Sequence, residues 1–77
     1  MLTNAEQHVA VLAAAGWTDT AIAARRGSSR RTVNAQMAAV RAKLAVGTRD
    51  ELTTRIPAAL QEKVAAEAAR LPVGNRE

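Results

Sequence analysis

Hydroxyl residues that start helices and glycines that stop them alternate along the whole 77-residue chain, and no stretch shows the apolar–polar alternation of a half-buried strand. Thr3 with Glu6 three residues later reads as a capping box. Behind it Ala5, Val9, Leu12 and Ala13 recur at helical spacing until Gly16, which predicts a first helix over Asn4 to Ala15. Thr18 predicts a second over Asp19 to Arg26, with Trp17 placed to staple onto Ile22 and Gly27 ending it. Ser28 or Ser29 opens a third over Arg30 to Leu44, whose apolar stripe is Val33, Met37, Val40 and Leu44, with Gly47 breaking the pattern. Thr48 and Glu51 form a second capping box for a fourth helix reaching Arg55. Pro57 suits the first turn of a fifth, with apolar positions Leu60, Val64, Ala68 and Leu71 before Pro72 and Gly74. The expected fold is all-α, and nineteen alanines read as helix propensity rather than low complexity.

So short a chain buries only about 60% of its unfolded surface, enough for one modest core and hardly for an enclosed active site beside it. No enzymatic activity is therefore expected. The chain has no cysteine and a single histidine, so neither a disulfide framework nor a metal site is expected, and no cofactor. No apolar run approaches the roughly twenty residues of a membrane span, and no signal-peptide pattern opens the chain; the expectation is a soluble, cytoplasmic domain without a membrane partner.

The net charge of +4 is unevenly placed. Before Arg25 the only charges are Glu6 and Asp19, and from Pro57 onward three basic residues balance three acidic ones. Between them lie seven basic residues, Arg25, Arg26, Arg30, Arg31, Arg41, Lys43 and Arg49, with no acidic residue among them. A compact cationic segment on an otherwise mild domain suits a binder of the phosphate backbone. A helix-turn-helix needs a small residue where its helices cross, a glycine in the turn and an apolar residue packing back from the second helix; Ala23, Gly27 and Val33 fill these places.

The run Leu2-Thr3, Glu6, Val9, Gly16, Thr18, Ile22-Ala23, Ser29, Arg31-Thr32-Val33, Lys43-Leu44, Val46, Arg49 and Glu51-Leu52 resembles the DNA-binding domain of LuxR-type transcriptional regulators, over about residues 2 to 56. The resemblance implies a four-helix domain (1–56) whose third helix enters the major groove of double-stranded DNA at promoter sites of two-fold character. It also implies a fourth helix that commonly mediates dimerisation. Residues 57–71 would then form an additional C-terminal helix and possible dimerisation element, with 72–77 a flexible tail.

Carried onto this sequence, base contacts fall on Asn34, Ala35 and Ala38. Asn34 and Gln36 suit an adenine edge, and Ala35 or Ala38 a thymine methyl. Gln36 stands where the family typically has histidine. Arg30, Arg31 and Thr32 at the helix start are expected to clamp phosphates, Arg41 and Lys43 to reach phosphates farther along, and Thr18 and Thr20 to add hydroxyl contacts. Arg26 and Ser28 replace apolar residues of the family around the turn, which predicts either an arginine stem laid along apolar surface or a looser turn.

Other residues read more simply. Trp17 is expected in the core rather than on a base, His8 as a structural histidine, Asp50 and Glu51 as helix-start charges, and Ser28, Ser29 and Thr32 as caps lacking any base to make them nucleophiles. The stripe of Leu52, Ile56, Leu60 and Val64 covers either the domain's own core or a second copy. The leading reading is a sequence-specific DNA-binding regulator acting as a homodimer. The competing one is a helical protein-interaction module that kept the fold but lost base reading, with RNA polymerase as a possible partner.

Overall fold

The computed structural model describes residues 1–75 and is helical, with no strand among them. Its elements are α1 (Asn4–Ala14), α2 (Asp19–Arg26), α3 (Arg30–Leu44), α4 (Arg49–Arg55), a 3₁₀ turn (Ala58–Leu60) and α5 (Gln61–Ala68). None of the helices is long and apolar enough to cross a membrane.

The starts of the first four helices are set by local chemistry. Thr3, Thr18, Ser29 and Thr48 are extended, and each side chain accepts a hydrogen bond from the backbone amide three residues on. That satisfies one of the donors each helix start leaves orphaned. At Thr3 the box is complete, because the Thr3 amide donates to Glu6 Oε1 at 2.9 Å.

The ends of α1, α2 and α3 share one geometry. The amide of Trp17 donates to the Leu12 carbonyl, that of Ser28 to Ala23 and that of Val46 to Arg41, each spanning a residue in the left-handed region. These are Schellman caps. In α1 and α2 the left-handed residue is a glycine, Gly16 at φ +100° and Gly27 at φ +64°. In α3 it is Ala45 at φ +57°, so Gly47, expected to break this helix, plays no part in ending it. A non-glycine residue in this region costs about 1–3 kcal/mol, whereas a new glycine adds about 0.4–1 kcal/mol of chain entropy to overcome on folding. Ala45→Gly is therefore expected to stabilise the domain by about 1 kcal/mol, read as a rise of several degrees in thermal midpoint.

Val9, Leu12, Ile22, Val33, Val40 and Leu52 are fully buried and form the centre of the core, joined by Trp17, Met37, Val46 and Ile56. Ala23 and Val33 are buried in the same core cluster and Gly27 is exposed and left-handed, so each member of the expected helix-turn-helix trio has the burial or backbone its place requires. Leu60 and Val64 pack against the same core. Within this chain the stripe from Leu52 to Val64 lies on the core, with Leu52 and Ile56 buried and Leu60 and Val64 partly exposed.

The C-terminal region departs most from expectation. Pro57 stands before the 3₁₀ turn instead of inside a helix, α5 ends at Ala68, and Leu71 is 43% exposed. What fixes α5 comes from α2 and the corner before it. The Trp17 indole Nε1 donates to the Glu67 carbonyl at 3.0 Å, and the Arg25 guanidinium forks onto both Glu67 carboxylate oxygens at 3.0 Å. Asn75, in the segment expected to be a flexible tail, accepts from the Thr18 amide at 2.9 Å and donates to the Gly16 carbonyl at 3.0 Å. Residues 76 and 77 of that tail lie outside the described residues.

Candidate nucleic-acid interface

Three of the seven basic residues between 25 and 49 are engaged with carboxylates. Arg25 pairs with Glu67 and also lies over the Trp17 ring, 5.1 Å from its centroid, an added cation–π attraction. Lys43 reaches Glu6 at 2.7 Å, tying α3 to α1 and holding the Glu6 carboxyl below its usual range. Arg49 reaches Asp19 at 2.8 Å and donates to the Trp17 carbonyl, tying α4 to the start of α2. These cations brace the fold, and Lys43, expected to contact phosphate, is already held on a carboxylate.

A fourth, Arg26, donates from Nη1 to His8 Nδ1 at 2.5 Å. Its Nε and the Ser28 Oγ are buried without a hydrogen-bond partner. The polar replacements at the turn therefore leave unpaired groups inside, each costing about 1–3 kcal/mol. The arginine stem is half-buried, as expected, but its head is on a histidine rather than wholly in water.

Burial, then the positive charges of Arg26 and Arg25, hold the His8 pKa below its usual 6.5, against a weaker opposing pull from Glu67. The unfolded chain therefore takes up a proton more readily than the folded one, and stability rises with pH across this titration. The His8 contribution is complete above about pH 7 and is lost as pH falls through 6.5 toward the lowered value. The expected result is a thermal midpoint that declines from pH 7 to pH 5, with a flatter decline in His8→Gln; equal slopes in the two proteins would contradict it.

Arg30, Arg31 and Arg41 form no ion pair among the described residues, and all three lie on α3. This helix has 15 residues, about 22 Å of axis, enough to traverse a major groove about 12 Å wide. At 100° per residue, Arg31, Ala35, Ala38 and Ala42 fall within about 60° of one another. All four are exposed, opposite the buried Val33, Met37 and Val40, and they form the outer crest of α3. Asn34 is exposed and borders this crest, on the side carrying Arg30 and the half-buried Arg41.

Gln36 sits about 160° around the helix from Asn34. It is half-buried, and its Oε1 is covered and unpartnered, so Asn34 and Gln36 do not present one adenine-reading face. The hydroxyls predicted to touch phosphate are partly engaged. Thr18 Oγ1 accepts from the Ala21 amide, and Thr32 Oγ1 accepts from the Ser29 hydroxyl at 3.1 Å. Thr20 is exposed on the first turn of α2.

Sequence reasoning had not separated bracing from free cations, because the partners Glu6, Asp19 and Glu67 are 37, 30 and 42 residues away in the chain. A concavity of about 350 Å³ lies between α1 and α5, lined among others by His8, Lys63 and Glu67. Glu67 there is held by Arg25, and its carboxyl is kept below its usual range by that hydrogen bond.

The family model GerE, described as bacterial regulatory proteins of the luxR family, matches residues 1–56. The match covers α1 to α4, with the helix-turn-helix and the crest of α3, and stops before α5. No curated protein and no solved structure matches the chain.

Proposed function

We propose that this chain, which belongs to the luxR family of bacterial regulatory proteins, is a sequence-specific transcription regulator that seats α3 in the major groove of double-stranded DNA. The observation that carries the reading is the sorting of cations. The basic residues that brace the fold are spent on carboxylates, while Arg30, Arg31 and Arg41 stand unpaired around an exposed helix crest. Arg30 and Arg41 hold phosphates at the groove edge, Thr20 and Thr32 add hydroxyl contacts, and Asn34, Ala35 and Ala38 face base edges. Lys43 and Thr18 join the contact only by sharing groups already bonded within the domain, and Gln36 contributes through its flank rather than its covered oxygen.

In this reading two copies occupy a promoter site of two-fold character in the cytoplasm. The apolar stripe from Leu52 to Val64 gives no support to a dimer formed beforehand, since it is turned into the core.

The test is a titration of duplex DNA at several salt concentrations. Neutralising two or three phosphates per copy, with Arg30, Arg41 and a shared Lys43, predicts a slope of log affinity against log salt of roughly −2 to −3 per copy. Binding that ignores salt would sink the proposal.

The interaction-module reading draws on the same crest, because Ala35, Ala38 and the neighbouring Ala39 offer no hydrogen-bonding groups to base edges. It predicts weak DNA affinity without sequence preference and a protein partner, such as RNA polymerase, still bound after Arg30 and Arg31 are both replaced by alanine.

A further inference from the structure

Arg31 stands apart from the other two unpaired arginines of α3, and from its position we infer that it reads a guanine in each half-site instead of clamping a phosphate. The inference rests on the DNA-binding reading above.

Arg30 and Arg41 are eleven residues apart, which places them within about 20° of each other and about 16 Å apart along the axis. Such a pair lines one edge of the helix and suits two backbone phosphates a few nucleotides apart. Arg31 lies about 100° away from Arg30, on the crest itself. It is the second residue of α3, exposed, and forms no ion pair among the described residues.

Its neighbours on the crest, one, two and three turns along, are Ala35, Ala38 and Ala42. None has the length to hold the helix off the groove floor, and none can donate or accept a hydrogen bond from its side chain. A helix seated that closely brings the start of its crest against base edges. Arg31 is then the one long, hydrogen-bonding group directed at them, and its planar fork matches the paired N7 and O6 acceptors of guanine. Asn34, at the border of the crest, is left for an adjacent pair.

The experiment compares wild type, Arg31→Ala, Arg31→Lys and Arg30→Ala on a duplex selected by the wild-type protein from a random pool. Each protein is also titrated on single-position variants of that duplex, on versions with 7-deazaguanine at each guanine in turn, and on a scrambled duplex at the same salt. The expected result is one G·C pair whose replacement weakens wild-type binding roughly five- to 150-fold, with 7-deazaguanine there reproducing part of the loss. Arg31→Ala loses that preference, Arg31→Lys keeps a fraction of it, and Arg30→Ala weakens the selected and scrambled duplexes by the same factor. The inference is overturned if Arg31→Ala also weakens both duplexes equally and retains the wild-type preference at every pair. If selection with the wild-type protein returns no preferred sequence, the DNA-reading function itself fails, and this assignment with it.

Discussion

Trp17→Ala is expected to remove about 3–5 kcal/mol of folding stability, the usual loss for a buried tryptophan. The chain's 77 residues correspond to roughly 4–12 kcal/mol in total, so the variant should be largely unfolded at 37 °C or close to it. Trp17 is only 5% exposed and carries three roles at once. Its ring is part of the buried core at the corner between α1 and α2, its indole donor holds the Glu67 carbonyl, and its face receives the Arg25 guanidinium. Trp17→Phe keeps most of the apolar mass but loses the donor, which predicts a smaller loss of about 1–3 kcal/mol from the unpaired Glu67 carbonyl and the reduced ring. Both are read from helical ellipticity against urea. A tryptophan used for stacking on a nucleic-acid base would instead leave the free protein's stability nearly unchanged on truncation, and such a result would contradict the burial described above.

Leu52→Ala is expected to cost about 2–5 kcal/mol, lowering the thermal midpoint by ten degrees or more. Leu52 is fully buried and is the only core residue that α4 contributes; Thr53, Thr54 and Arg55 beside it are exposed. Without it α4 is held by the Arg49 ties to Asp19 and the Trp17 carbonyl and by the buried Val46 and Ile56 that flank it. The loss should not depend on protein concentration, because the side chain serves its own domain. If Leu52 lined an interface between copies, the same truncation would lower association and spare the isolated domain. Thr53→Ala, on the outer face of the same helix, is the matched control, with an expected change within about 0.5 kcal/mol.

The parts of the fold that could be read from sequence are those fixed within a few residues. Thr18, Ser29 and Thr48 each bond an amide three positions away, so the starts of α2, α3 and α4 follow from the order of residues alone. The end of α3 at Leu44 followed from its stripe, but the residue that closes it was missed, because the left-handed position is an alanine, a type that carries no such signal, while a glycine stood two positions later. The limits of α5 were missed for a different reason. Its fixed points are Trp17 and Arg25, and nothing in the local sequence of residues 57–75 announces them.

The binding surface divides in the same way. The family resemblance put Asn34, Ala35 and Ala38 forward as base contacts, and α3 carries all three on or beside its outer face. Helical periodicity already sets Gln36 on the far flank, but nothing local reveals that its Oε1 is covered, or that Lys43 is answered by Glu6 across 37 positions of chain. A run of seven cations looked uniform, yet it contains two populations that only the folded partners distinguish.

The wrap of the final residues around the corner at Gly16 and Thr18 bears on how the protein is best handled at the bench. A gene fragment trimmed to the stretch that matches the family would end at Ile56, strip one wall from Trp17 and leave Arg25 without its counterion. Poor yield or aggregation of such a shortened product would then report a severed brace rather than any fault in the helices that meet DNA. The smallest version worth expressing runs through Asn75.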